Sequence, residues 1–271
     1  MSAPIGIFDS GVGGLSVLRA IRQQYPEENL LYLADQAHVP YGLRSLAEVR
    51  QFSEDITRYF LQHEAKLVVV ACNTASAAAL HSLRHTFPAI PFVGMEPAVK
   101  PAAETTKSGV VGVLATPATF QGELYASVVE RFANGVRILQ DTCPGLVEQI
   151  EQGNLDGSET LAILRQALGN MLEENIDTVV LGCTHYPFVI PQIEAISGPQ
   201  VRVIDPAPAI ARQVGRLLDQ HNLKASTSQQ GQSTYLTTGK LDHFTQFLET
   251  FNFGGEIKSI HWHEGALVDS I

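Results

Sequence analysis

Two short apolar runs that each end at a cysteine constrain the fold of this chain more than any other feature. Residues 67–74 read LVVVACNT and residues 178–185 read TVVLGCTH, so each run turns polar directly after Cys72 or Cys183. Short runs rich in β-branched residues are typical of strands that are buried on both faces of a parallel α/β sheet. Ligands of open α/β sheets bind just past the carboxyl ends of such strands. The pattern therefore predicts an α/β fold in which both thiols face one cleft.

The chain contains three cysteines, and their surroundings separate a pair from a single residue. A lone cysteine at a strand end commonly serves as a small buried apolar side chain. The repeated context of Cys72 and Cys183 favours a functional role. Cys143 has no such counterpart, so we interpret it as a small buried apolar side chain. None of the three lies in a C-x-x-C motif, so the sequence indicates neither a disulfide framework nor a zinc ribbon.

A glycine-rich turn follows the first predicted strand, residues 5–8. It begins at Asp9 and Ser10, and a helical pattern starts at Leu15. The turn has neither the G-x-G-x-x-G nor the P-loop pattern, so nucleotide binding is poorly supported. A carboxylate here would repel a phosphate. Asp9 is therefore either a helix cap or a group that holds an ammonium or assists a neighbouring base.

Apolar runs alternate with helical patterns along both halves of the chain, which predicts parallel sheets built from βαβ units. The pattern restarts between residues 97 and 108. Towards the end of the chain it continues with a polar loop over 225–233 and two strands around a helix over 240–250. Because this tail is too small to fold alone, we expect it to complete the first half.

Charge and hydropathy argue against several classes of partner. The chain has 18 basic and 28 acidic residues and a net charge of −10, which argues against nucleic acid or an anionic membrane surface as the general partner. No apolar run approaches the ~18 residues of a membrane-spanning helix, and the first residues lack the pattern of a secretory signal. We therefore expect a cytoplasmic protein with reduced thiols.

Two thiols that face one cleft admit three chemical interpretations. A disulfide is disfavoured by the expected compartment. A metal site of Cys72, Cys183 and His185 is conceivable, although Cys72 has no second ligand close to it in sequence. The third interpretation is a pair of acid/base groups on opposite faces of one carbon, where a deprotonated thiol removes a proton and a protonated thiol donates one. Asp9 and His185 are then natural groups to tune the thiols.

Neither a cofactor nor a metal is indicated by the rest of the sequence. No lysine lies in a strand-end motif, so a Schiff-base lysine for pyridoxal phosphate is not expected, and we predict no cofactor. His261 and His263 flank Trp262 at strand spacing, but no third ligand lies near them in sequence. We expect these two histidines at the surface and predict no metal site.

Four motifs resemble the signatures of bacterial glutamate racemases. They are GIFDSGVGGL at 6–15, VPYG at 39–42, CNTAS at 72–76 and GCTHYP at 182–187, and the match runs in order over nearly the whole chain, with the 225–233 loop outside it. The resemblance implies cofactor-independent interconversion of L- and D-glutamate, which supplies D-glutamate for peptidoglycan. It also implies a homodimer and two pseudo-symmetric α/β domains that face each other across the active-site cleft. The first domain would comprise residues 1–97 and 208–271, and the second would comprise residues 98–207.

The resemblance also implies roles for individual residues. Cys72 and Cys183 would be the acid/base thiols, assisted by Asp9, His185 and Glu151. The residues that would bind the substrate are Ser10, Tyr41, Gly42, Asn73, Thr74 and Thr184.

Two positions leave this assignment open. Glu148 is closer than Glu151 to Cys143 but fits the family pattern less well, so either glutamate is a candidate for the acidic role. In the loop before Val39, the family often has Thr and Arg where this chain has Gln36 and His38. That difference changes the expected charge at the mouth of the cleft.

Two alternatives compete with glutamate racemisation. Aspartate racemase is the nearest enzyme, because it shares the fold and the paired thiols. Its relatives typically carry an acidic residue after the second Cys-Thr pair, whereas His185 follows Thr184 here, which favours glutamate. A different class is a binding protein, for instance one that sequesters gyrase, and a racemase with an additional gyrase-inhibiting role would combine the two. The presence of both thiols favours the enzyme and leaves the second role open.

Overall fold

The computed structural model of the chain describes residues 2–226 and 229–270. Within these ranges the strands are β1 (Ile5–Asp9), β2 (Leu30–Ala34), β3 (Leu67–Val70), β4 (Phe92–Gly94), β5 (Val110–Ala115), β6 (Arg137–Asp141), β7 (Thr178–Gly182), β8 (Arg202–Ile204), β9 (Ser233–Thr237), β10 (Glu256–His263) and β11 (Ala266–Asp269). The helices are α1 (Leu15–Gln24), α2 (Leu46–Gln62), α3 (Asn73–Thr86), α4 (Val99–Thr105), α5 (Pro117–Gln121), α6 (Glu123–Phe132), α7 (Leu146–Glu151), α8 (Ser158–Glu173), α9 (Ile190–Ser197), α10 (Ala207–Gln220) and α11 (Leu241–Thr250). Short 3-10 helices cover Tyr41–Leu43 and Tyr186–Val189.

The strands form two sheets. The larger sheet has the order β11-β10-β9-β2-β1-β3-β4, and the smaller sheet has the order β6-β5-β7-β8. Neighbouring strands are parallel, except that β11 runs antiparallel to β10. Parallel neighbours need crossover connections, which the helices between the strands provide. The predicted α/β class with parallel sheets is confirmed.

The central strands are buried along their whole length. Every residue of β1, β3 and β7 is buried, which explains why their sequences are continuous apolar runs rather than alternating ones. One core cluster is continuous from the first sheet to the second, because it includes Ile7 of β1, Leu18 of α1 and Leu181 of β7. The two sheets therefore share apolar packing close to the ends of the strands that carry the cysteines.

The C-terminal part of the chain adds β9, β10 and β11 to the sheet of β1–β4. The predicted helix over 240–250 is α11, and the two predicted strands are β9 and β10. The last strand, β11, was not predicted. It has only four residues, and its pairing with β10 has no separate signal in the sequence. His261 and His263 on β10 are exposed, as expected.

The domain boundaries at 97/98 and 207/208 stay predictions. Positions 227 and 228 of the predicted 225–233 loop lie outside the described residues. Among the residues that are described, no helix is both long enough and apolar enough to cross a membrane.

Candidate active site

A small, narrow cavity lies at the carboxyl ends of β1, β3 and β7. Its lining includes nine of the residues predicted for the site, namely Ser10, Tyr41, Gly42, Cys72, Asn73, Thr74, Cys183, Thr184 and His185. Pro40, Thr116 and Val147 complete the lining. The two remaining predicted residues, Asp9 and Glu151, lie behind the lining and contact it. Both thiols thus reach one cavity from different sheets.

On the first sheet, Asp9 lies behind the thiol of Cys72. The carboxylate is fully buried at the end of β1, where Oδ2 accepts a hydrogen bond from the Gly14 backbone at 2.9 Å and Oδ1 accepts one from Thr184 Oγ1 at 3.3 Å. Burial raises the pKa of Asp9, against the positive field of His185 and the Gly14 hydrogen bond. Burial, together with the charge of Asp9, raises the pKa of Cys72 well above its ordinary value. Both effects disfavour the thiolate form of Cys72.

On the second sheet, Cys183 belongs to a chain of three side chains. His185 Nδ1 lies 3.7 Å from Cys183 Sγ, and His185 Nε2 lies 2.6 Å from Glu151 Oε1. Burial alone would lower the pKa of His185, but its hydrogen bonds to Cys183 and Glu151 raise the pKa well above the ordinary value. Burial would raise the pKa of Glu151, but the hydrogen bond and the positive charge of His185 outweigh this effect. The pKa of Glu151 is therefore lowered. The imidazole can therefore hold a proton taken from Cys183.

The glycine-rich turn after β1 is what lets these groups approach the first sheet. Val12 N donates a hydrogen bond of 2.7 Å to Glu151 Oε1. A β-carbon at Gly11 would overlap the Glu151 carboxylate, and one at Gly13 would lie 2.5 Å from His185 Nδ1. The absence of side chains at these positions thus serves close packing around the acid/base groups.

The structure separates the two candidate glutamates. Glu151, at the end of α7, contacts His185 directly. Glu148, one turn earlier on the same helix, instead lines a different and larger cavity between α7 and α11, together with Glu151 and Gln36. The geometry thus brings Glu151, and not Glu148, to the imidazole.

Asn73 is the least satisfied polar residue of the site. It is the first residue of α3 and is 3% exposed, yet among the described residues neither its amide nitrogen nor its carbonyl oxygen has a hydrogen-bond partner. Buried side-chain polar atoms are paired in the large majority of cases. Because Asn73 lines the cavity, its unpaired amide indicates a place for a polar ligand.

Tyr41 is held in the cavity wall by a buried carboxylate. Tyr41 OH donates a hydrogen bond of 2.6 Å to Asp35 Oδ2. The same carboxylate accepts from Thr238 Oγ1 at 2.9 Å and from Trp262 Nε1 at 2.7 Å, and His38 Nδ1 lies 2.8 Å from it. The loop that carries Tyr41 is therefore fixed to β9 and β10 through Asp35.

Three residues of the site were not assigned to it from the sequence. Thr116 lines the cavity, and its Oγ1 lies 2.8 Å from Thr74 Oγ1. Asp35 holds Tyr41, and Gln36 Nε2 donates a hydrogen bond of 2.9 Å to Glu151 Oε2. Thr116 directly follows β5 as Cys183 directly follows β7, so its position at a strand end was an available signal. The contact between Gln36 and Glu151 depends on the packing of two segments that are distant in sequence, so no sequence signal indicated it.

Within residues 2–226 and 229–270, no group of three or more His, Cys, Asp or Glu side chains is arranged to hold a metal ion.

Comparisons with known proteins find relatives over most of the chain. A family model described as Asp/Glu/Hydantoin racemase matches residues 5–214. The curated glutamate racemase of Roseiflexus sp. (strain RS-1) is 53% identical over 246 residues, which are 90% of this chain and 90% of that protein. The crystal structure of a Bacillus anthracis glutamate racemase isoform is 31% identical, with a TM-score of 0.85 over 97% of this chain and 98% of that one. Escherichia coli glutamate racemase, crystallised with L-glutamate and the activator UDP-MurNAc-Ala, is 32% identical, with a TM-score of 0.85 over 98% and 99% of the two chains.

Proposed function

The chain belongs to the Asp/Glu/hydantoin racemase family, and from this membership we propose that it interconverts L- and D-glutamate by proton transfer between two thiols. It is an isomerase of the amino-acid racemase class. One observation carries the proposal, which is that Cys72 and Cys183 line one cavity, each with its own acid/base partners.

The proposed reaction needs one base and one acid on opposite faces of Cα. In one direction, the Cys183 thiolate removes the Cα proton, and the electron pair of the broken C–H bond is delocalised into the α-carboxylate. The Cys72 S–H then donates its proton to the opposite face, and a new C–H bond of inverted configuration forms. Cys72 is left as the thiolate, so it serves as the base in the reverse direction.

The partners of the thiols are proposed to hold the protons between these steps. His185 takes the proton of Cys183 and is held as an imidazolium by Glu151, at 2.6 Å. Asp9 lies against Cys72, where its charge opposes formation of a second negative charge. The pair is thereby biased towards one thiolate and one thiol, which is the state that a two-base racemase needs.

Substrate binding is proposed to rely on neutral donors and a helix terminus. No lysine or arginine is among the residues that line the cavity. The N-terminus of α3 faces it with Asn73 and Thr74, and backbone N–H groups at a helix N-terminus favour anions. The substrate carboxylates would therefore bind to these groups and to the hydroxyl groups of Ser10, Tyr41 and Thr184, with Gly42 leaving room beside them.

Several finer expectations are part of the proposal. We infer that D-glutamate made by the enzyme serves peptidoglycan synthesis, and that no cofactor takes part. The homodimer and the cytoplasmic location stay predictions from the resemblance and the composition. The aspartate and gyrase-inhibitor alternatives gain no support from the relatives named above, which carry the glutamate racemase name.

The experiment that tests the function compares substrates and thiol variants. L-glutamate, D-glutamate and L-aspartate are each incubated with the full chain, without added cofactor, and circular dichroism follows their optical activity. Glutamate is expected to lose optical activity from either enantiomer, and Cys72→Ala and Cys183→Ala are each expected to abolish that loss. Racemisation of aspartate but not glutamate would overturn the substrate, and unchanged activity in either variant would overturn the mechanism.

A further inference from the structure

A second cavity lies away from the thiols, at the amino ends of β9 and β10. It is bounded by α1, by the segment that leads into β9, and by the segment between α11 and β10. None of the residues that line the thiol cavity lines this one. Two arginines of α1, Arg19 and Arg22, form part of its wall.

Arg22 is partly buried, and no acidic side chain among residues 2–226 and 229–270 forms an ion pair with it. Its Nη1 donates to the carbonyl oxygens of Pro26 and Glu28 at 2.8 and 2.7 Å. Its Nη2 donates to the Gln232 carbonyl and to Ser233 Oγ at 3.0 and 2.9 Å. All four acceptors are neutral oxygens, which fix the guanidinium without cancelling its charge. Burial accordingly lowers the pKa of Arg22.

Arg19 has N–H donors to spare, whereas both Nη atoms of Arg22 already donate hydrogen bonds. The Arg19 guanidinium packs over the Phe253 ring at 4.6 Å, and its Nη2 donates to the Phe251 carbonyl at 3.1 Å. A guanidinium has five N–H donors, so most of those of Arg19 are unused by the described residues. Arg19 is exposed, so the protein orients its guanidinium and leaves the remaining N–H groups open to solvent or to a ligand.

The acidic side chains around the cavity are largely matched by lysines. Glu256 lines the cavity, and its carboxylate lies 2.9 Å from Lys258 Nζ. The Glu28 carboxylate lies 2.5 Å from Lys66 Nζ. The carboxylates of Glu28 and Glu27 act on Arg22 only through their fields, Glu28 more strongly than Glu27, and these fields do not outweigh the burial that lowers the pKa of Arg22. Within residues 2–226 and 229–270, neither arginine forms an ion pair.

A partly buried, unpaired cation is unfavourable unless a counter-charge reaches it. The planar fork of a guanidinium matches the two oxygens of a carboxylate or phosphate. We propose that this cavity binds a small oxyanion, a carboxylate or a phosphate, which Arg19 contacts directly and Arg22 stabilises through its charge. In a chain with a net charge of −10, such a site concentrates anions at one place on the surface.

Binding to the full-length protein tests the proposal, with inorganic phosphate and succinate as separate probes in isothermal titration calorimetry. Arg19→Gln removes the charge and keeps a hydrogen-bonding side chain of similar length. Arg165→Gln, at an exposed position on α8, is the matched control for loss of one positive charge. We expect saturable binding of at least one probe, weakened roughly tenfold or more in Arg19→Gln and unchanged in Arg165→Gln.

The two probes identify the source of the oxyanion. Preference for phosphate would assign a phosphorylated ligand, and preference for succinate would assign a carboxylate. Binding that persists in Arg19→Gln would come from another place, such as the thiol cavity, and would overturn the proposal. Equal weakening of binding in Arg19→Gln and Arg165→Gln would mean that only the net charge of the protein matters, which would contradict a specific site. The absence of saturable binding of either probe would contradict it as well.

Discussion

Cys72 and Cys183 sit in unlike surroundings, although their sequence contexts are nearly alike. Cys72 is backed by a buried carboxylate, whereas Cys183 is backed by an imidazole that is itself held by Glu151. An anion next to a thiol disfavours the thiolate, and a proton acceptor next to a thiol favours it. The two thiols therefore differ in their electrostatic surroundings, with the carboxyl group of Asp9 beside Cys72 and the imidazole of His185 beside Cys183.

Removing the charge of Glu151 tests the role of the imidazole. Glu151→Gln leaves a side chain of the same shape but no charge to hold the His185 proton, so the pKa of His185 falls. We expect kcat/KM to fall by about 10- to 100-fold, a loss typical of a weakened acid/base group. Because the equilibrium constant of a racemisation is one, kcat/KM must fall equally in both directions, whereas kcat and KM are free to change separately.

Glu148→Gln is the matched control for that measurement, since it lies on the same helix and does not contact His185. Its kcat/KM is expected to stay within about twofold of the parent value. Equal losses in the two variants would contradict the assignment of Glu151, because a general effect of charge on α7 would then suffice.

Gln36 is expected to set the pH dependence through Glu151. Its amide donates to Glu151 Oε2 and so contributes to the lowered pKa of that carboxylate. In Gln36→Ala the pKa of Glu151 rises, so Glu151 becomes protonated at a higher pH. The acid limb of the kcat/KM profile should move upwards in pH, while Gln152→Ala, an exposed neighbour of Glu151, should leave it in place. If the acid limb of the kcat/KM profile stayed in place in Gln36→Ala, Gln36 would contribute packing but no electrostatic effect on Glu151.

At the scale of elements, the turn after β1 explains why the sequence carries glycines there. The turn packs against Glu151 and His185, which leave no space for a β-carbon at Gly11 or Gly13. The sequence identified the turn and its Asp9, but not the reason for the glycines. That reason lies in α7 and in the segment after β7, which are far away along the chain.

Gly13→Ala tests this packing. The added methyl group would lie 2.5 Å from His185 Nδ1, so the imidazole or the turn must shift. A displacement of this size at a reacting group is expected to lower kcat/KM by about 100-fold. Gly169→Ala on α8 is the control, because a β-carbon there meets nothing within 4 Å and alanine favours a helix. Full activity of Gly13→Ala, with an unchanged fold by circular dichroism, would contradict the close approach.

The connection between α4 and β5 is stabilised by Asp177, which precedes β7. Its carboxylate accepts hydrogen bonds from Thr106 Oγ1 and from the backbone N–H groups of Lys107 and Ser108. Burial opposes ionisation, but these hydrogen bonds outweigh it and lower the pKa of Asp177 from 3.8 to about 2. A carboxyl whose pKa is depressed by folding adds stability above its unfolded pKa, and that stability is lost as the pH falls towards the folded value.

Asp177→Asn should therefore destabilise the protein at neutral pH by about 1 kcal/mol, less than the full shift suggests because solvent screens this partly exposed group. In urea unfolding, the difference from the parent should be constant between about pH 7 and pH 5 and shrink as the pH falls from about 4 towards 2. Asp156→Asn, at an exposed position, is the control. A difference that is independent of pH would assign the effect to packing and not to charge.

At the scale of the whole molecule, sequence patterns predicted the buried strands and the side chains at their ends better than the contacts between the two sheets. Buried parallel strands leave continuous apolar runs, so β1, β3 and β7 were visible, and their carboxyl ends located Asp9, Cys72 and Cys183. Short edge strands such as β11 depend on a neighbour and were not visible. The contacts of Glu151 and Gln36 depend on how two sheets pack, which no local pattern records.

The central claim is that two thiols act on opposite faces of one carbon, and isotope incorporation in D₂O tests it most directly. L-glutamate is converted to a small extent by the full chain, the enantiomers are separated, and mass spectrometry measures deuterium at Cα of each. If one thiol removes the proton and the other delivers a solvent-derived one, the D-glutamate formed carries deuterium and the recovered L-glutamate does not. Deuterium that enters the recovered L-glutamate as fast as the product, or a product that keeps the original hydrogen, would mean that a single base serves both faces and would contradict the claim.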